Sequence, residues 1–203
     1  MKKIEKINPL LVFLLSSLVF TSSVSQEQVA GRKDLLKYKD ASGRTKEVKN
    51  ARSWEKCRNL ILGNMQMVMG ELPGKSRKVQ PEMKVIGEEK LDKVKRLKIS
   101  YSPEKGDRVT AYLLIPLDLK ERVPGILCLH QTIKIGKAEP AGLGGSPNLN
   151  YALELAERGY VTLAPDYPNF GDYAFDPYQN GYESATMKGI WNHIAAADLL
   201  QSL

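Results

Sequence analysis

The chain has 203 residues, 42% hydrophobic and 26% charged, with 30 Lys and Arg against 23 Asp and Glu. That is enough for one domain with a core, and the composition excludes a disordered or fibrous chain. The net charge of +7 is not gathered into a basic cluster interleaved with aromatic residues, so nucleic acid is not expected as a partner.

Residues 1–25 carry the marks of an export signal. Lys2, Lys3 and Lys6 form a basic start, residues 10–20 an apolar run broken only by Ser16 and Ser17, and Ser23 and Ser25 supply small residues at −3 and −1 of a cleavage site. The run is shorter than the ~20 residues of a membrane span. The expected location is therefore periplasmic or extracellular, with an uncleaved anchor as the alternative. Cleavage would leave 27 basic and 22 acidic residues, a net charge of +5 spread along the chain as solvated surface. Export permits a disulfide between Cys57 and Cys128. Cys57 falls in a helix-like stretch and Cys128 in an apolar strand-like run, so two buried free thiols are the better reading.

Residues 26–52 are polar without a sustained period and read as a flexible lead-in. Over 53–70, Trp54, Cys57, Leu60, Ile61, Met65 and Val68 recur at helical spacing, with Ser53 as the expected N-cap and Gly70 and Pro73-Gly74 as the stop. Residues 53–92 are thus taken as a helical extension. Met65, Met67 and Met69 are expected to fill a core rather than bind a soft metal. Gly74-Lys75-Ser76 is no phosphate loop, because it follows a helix and Gly70 lies one residue too close.

From Val94 the period changes. Val94, Leu97 and Ile99, then residues 108–116 (RVTAYLLIP), predict a β-hairpin about Lys105-Gly106-Asp107. Residues 125–130 (GILCLH) read as a strand buried on both faces. Residues 148–158 form an amphipathic helix capped by Asn148 and ended by Gly159, residues 160–166 another strand, and residues 183–203 a long helix. A hairpin followed by strand–helix–strand–helix predicts an α/β fold with a mainly parallel sheet.

The strand ending in Leu129-His130-Gln131-Thr132 runs into a Gly-rich loop, and loops at the carboxyl ends of parallel strands are where such folds bind ligands. With GLGGSPNLNYALELAERGYVTLAPDYPNFGDY and MKGIWNHIAAADLLQSL, this order resembles the dienelactone-hydrolase and acetyl-xylan-esterase-like branch of the α/β-hydrolases. WEKCRNLILGNMQMVMGELPG is similar to the N-terminal extension of secreted bacterial members. The resemblance covers 53–203 and makes 93–203 the first half of the hydrolase domain, incomplete at its C-terminus. It implies a serine hydrolase acting on small-molecule carboxylic esters, without a cofactor or metal.

On the same resemblance, Gln131 and Thr132 are the candidates for an oxyanion-hole backbone donor. His130 and Asp166 brace loops and are not members of the catalytic triad. The G-x-S-x-G elbow, the triad acid and the triad histidine are expected beyond Leu203. Gly144-Gly145-Ser146-Pro147-Asn148 is a poor imitation, because Asn148 replaces the second elbow glycine and Pro147 would distort the turn. His193, inside the last helix, is expected to be packed or exposed rather than catalytic. Asp172 and Asp176 with Tyr167, Tyr173 and Tyr178 either line a substrate cleft or form a polar surface loop. A non-catalytic binding module that keeps the first half of the fold is the alternative to an enzyme.

Overall fold

The computed structural model describes residues 34–203. The expected export signal lies outside them. The chain divides into two compact units, Met1–Ile61 and Leu62–Leu203.

In the first unit, β1 (Lys37–Lys39) and β2 (Thr45–Glu47) form an antiparallel ribbon within the segment read as a lead-in. Helix α1 (Ala51–Met69) starts in this unit and ends in the second. Its cap is Asn50, three residues before the expected Ser53. Asn50 Oδ1 accepts the Ser53 N–H at 2.9 Å and Ser53 Oγ accepts the Asn50 N–H at 3.0 Å, so two orphan donors at the helix start are satisfied reciprocally. Among the described residues α1 fully buries only Cys57. Met65 and Met67 are exposed instead of filling a core; Met69 packs against Tyr182, Met187 and Trp191.

The second unit is built on a five-stranded sheet in the order β3-β4-β5-β7-β6. Its strands are β3 (Lys84–Lys90), β4 (Val94–Tyr101), β5 (Val109–Pro116), β6 (Gly125–Leu127) and β7 (Val161–Pro165). The expectation of a mainly parallel sheet is overturned: β3–β4, β4–β5 and β5–β7 pair antiparallel, and only β6–β7 is parallel. The reason is connection length. The tight turn at Gly106 (φ +82°) joins β4 to β5 as a hairpin, whereas a parallel pair needs a crossover, and helix α2 (Tyr151–Glu157) supplies the one between β6 and β7. Strand β3 also lies inside the stretch expected to be helical.

The two faces of the sheet are covered by different helices. On one, Ala152 and Ala156 of α2 meet Val94, Leu114, Cys128 and Ala164. On the other, Ala195, Ala196 and Leu199 of α3 (Ala185–Ser202) meet Leu97, Ile99, Tyr101, Val109, Leu113 and Leu163. Alanines on both helices let the backbones approach the sheet closely, and each buried Leu contributes about 2 kcal/mol. Helix α2 ends at Gly159 (φ +100°), with Gly159 N–H bonded to Ala156 O and Tyr160 N–H to Leu155 O, the paired bonds of a Schellman stop. Helix α3 is capped by Ser184, whose Oγ accepts the Met187 N–H at 3.0 Å.

Candidate functional site

Three loops meet at one end of the sheet. Strands β6 and β7 are parallel, so the segments after them, at His130 and Asp166, leave from the same end. Ala111 at the start of β5 lies opposite Pro165 at the end of β7, which brings the β4–β5 turn to that end as well.

Asp166, fully buried, ties these loops together. Its Oδ1 accepts the backbone N–H of Lys137 at 2.9 Å. Its Oδ2 accepts Thr110 Oγ1 at 2.7 Å, the Asp172 N–H at 3.1 Å and Lys137 Nζ at 2.5 Å. Both oxygens of the buried carboxylate therefore have hydrogen-bond partners, as burial of an ionisable group requires. Lys137 also reaches Asp172, at 2.9 Å, and Lys98 bonds the same carboxylate at 2.7 Å. The hydrogen bond from Lys98, then that from Lys137, hold the Asp172 carboxyl down at about 2. A second buried cluster stands at the β4–β5 turn, where Lys188 Nζ lies 2.7 Å from Glu104 and 2.6 Å from Asp107.

His130 joins the loop after β6 to the loop after β7. Its Nε2 faces the Tyr167 N–H at 3.1 Å and must accept there; its Nδ1 therefore carries the proton and donates to Gln131 O at 2.6 Å. The ring is buried, edge-on to Tyr167 at 5.0 Å between centroids. Tyr167 in turn lies edge-on to His193 at 4.6 Å. Burial, then the neighbouring His130, push His193 down to about 4.

Gln131 and Thr132 are exposed, and among the described residues neither backbone N–H has a hydrogen-bond acceptor. The other main-chain group of Gln131 is committed, its carbonyl to His130, and its side chain donates from Nε2 to Glu139 at 3.0 Å. A fixed, unpartnered N–H at the end of a parallel strand can stabilise negative charge that develops on a bound oxygen. Nothing of a nucleophile accompanies it among the described residues. Ser146 precedes the short turn Pro147–Leu149, donates its backbone N–H to Glu139 at 3.1 Å, and has no hydrogen bond from its hydroxyl to a histidine. His193 sits in α3, half-buried.

The acidic and tyrosine residues of 167–178 do not converge. Asp172 serves Lys98 and Lys137, Asp176 Oδ1 accepts the Tyr178 and Gln179 N–H groups, Tyr173 donates to Asp107 at 2.8 Å, and Tyr178 is exposed. Both cysteines are buried free thiols, and burial raises Cys128 to about 11, which makes it a poor nucleophile. No group of side chains among the described residues could hold a metal ion, and no helix among them is long and apolar enough to cross a membrane. Sequence reasoning missed Lys137 and Glu139, since charged residues in a Gly-rich loop carry no periodic signal.

No family model matches the chain, and no curated protein matches it. The fold is similar to the crystal structure of "a putative acetyl xylan esterase" from Bacteroides fragilis, with a TM-score of 0.59 and 19% identity over 75% of this chain. The mixed sheet with helices on both faces is thus a partial α/β fold, similar in architecture to part of that structure. The chain spans 44% of the length of that protein.

Proposed function

We propose that this chain carries the oxyanion-loop half of an exported α/β-hydrolase that acts on carboxylic esters. The nucleophile elbow, acid and base belong to sequence following this stretch, and the stretch by itself is inactive. The observation that supports this is the committed geometry of Gln131: carbonyl and side chain are tied down while its N–H is left without an acceptor. A backbone donor of this kind contributes on the order of 3 kcal/mol to an acyl-transfer transition state. The likeness to the Bacteroides fragilis structure and the pairing of β6, among the described residues, with β7 alone support the same reading, since a further strand can bond to its other edge.

The test is to read the coding sequence beyond codon 203. The proposal expects a strand followed by a G-x-S-x-G turn, then a carboxylate and a histidine in that chain order. A natural stop codon directly after codon 203 would overturn it.

A further inference from the structure

Glu139 is almost wholly buried, yet among the described residues no Lys, Arg or His pairs with it. Its two oxygens are spent on neutral donors at opposite ends of one loop: Oε2 accepts Gln131 Nε2 at 3.0 Å, and Oε1 accepts the Ser146 N–H at 3.1 Å. Burying a carboxylate costs several kcal/mol unless hydrogen bonds to its charged form offset the loss of water, so a carboxylate placed here implies that the loop needs both bonds. The loop is shaped to receive it. Gly145 has φ +76°, and a Cβ on it would overlap Glu139 Oε1, so only glycine lets the backbone pass this close.

We propose that Glu139 is a positioning residue, the clasp that holds the Gln131–Thr132 backbone donors in place; this rests on the reading of those N–H groups as oxyanion donors. The carboxylate fixes the Gln131 side chain from one side while the His130 ring fixes its carbonyl from the other. The Gln131–Thr132 peptide, which carries the Gln131 carbonyl and the Thr132 N–H, then has one orientation, and the Thr132 N–H points in one direction. A loop held only by its own turns would lose that direction to backbone motion, and a donor that must reorient during reaction is worth much less than a fixed one.

The test is backbone 15N relaxation on the full chain for wild type, Glu139→Ala, Glu139→Gln and Gln131→Ala. Wild-type amides at 131 and 132 should have order parameters of about 0.85, falling below about 0.6 in Glu139→Ala. Exchange of the Ser146 amide should accelerate at least tenfold in that variant. Glu139→Gln should restore both, because a carboxamide still accepts from Ser146, and the Gln131 amide can turn its oxygen toward the new NH2. Gln131→Ala alters an exposed side chain, so the protein stays folded even if Glu139→Ala does not; it should loosen position 131 and leave the Ser146 amide protected. Wild-type order at 131 and 132 in both alanine variants would overturn the proposal, as would failure of Glu139→Gln to restore it. None of these readouts needs turnover, so a failed clasp and a failed hydrolase reading are told apart.

Discussion

Lys137 Nζ lies 2.5 Å from Asp166 Oδ2, with the two side chains 2% and 0% exposed. The pair joins the loop after β6 to the end of β7. Removing one partner leaves the other charged, buried and uncompensated. Lys137→Met should therefore cost about 3–5 kcal/mol in urea unfolding. A loss below about 1 kcal/mol would mean that the pair is solvated in solution.

Two glycines make room for Asp166. A Cβ on Gly136 or Gly171 would overlap Asp166 Oδ1, and both residues have positive φ, +53° and +56°. Gly159, at φ +100°, has open space around its missing Cβ. Gly159→Ala should cost only the backbone term, about 1 kcal/mol, whereas Gly136→Ala and Gly171→Ala should each cost at least twice that. Equal melting shifts for all three would show that Asp166 yields to accommodate the methyl.

His193 titrates in the folded protein at about 4, against 6.5 for a free histidine, because burial disfavours its charged form. Its folded pKa is lowered, so the unfolded chain binds the proton first. The stability it confers is complete above pH 6.5 and is lost as pH falls from 6.5 toward 4, by on the order of 3 kcal/mol. Chemical unfolding at pH 7, 6, 5 and 4 should show this slope, and His193→Leu should flatten it. An unchanged slope in the variant would assign the acid sensitivity to other groups.

The hydrogen bonds of His130 fix its neutral tautomer. Long-range 1H–15N correlation at neutral pH should show Nδ1 as the protonated nitrogen and Nε2 as the bare one. The reverse assignment would break the Tyr167 N–H contact and with it the link between the two loops.

Much of the second unit is legible from residue pattern alone. The alternation in RVTAYLLIP gives β5, the apolar run before Asp166 gives β7, and Gly159 marks the stop of α2. Strand β3 was not legible, for a physical reason. It is a wholly exposed edge whose adjacent Val85 and Ile86 break the two-residue period, and the ladder slips between Val85 and Gly87. Strand direction does not follow from the alternation of strands and helices at the C-terminal end, because β3, β4 and β5 are joined by short turns and run antiparallel. At the candidate site, Gln131 and Thr132 could be singled out as donor candidates through the family resemblance. Lys137 and Glu139 could not, because their partners Asp166 and Ser146 are brought to them only by the folded loop.

The most direct test is hydrolysis of p-nitrophenyl acetate, measured on the product of the natural reading frame and on the isolated 203-residue chain, each with and without a serine-directed inhibitor. The account predicts inhibitor-sensitive hydrolysis by the former and no rate above an unfolded control for the latter. Inhibitor-sensitive hydrolysis by the 203-residue chain itself, or none from the natural product, would contradict it.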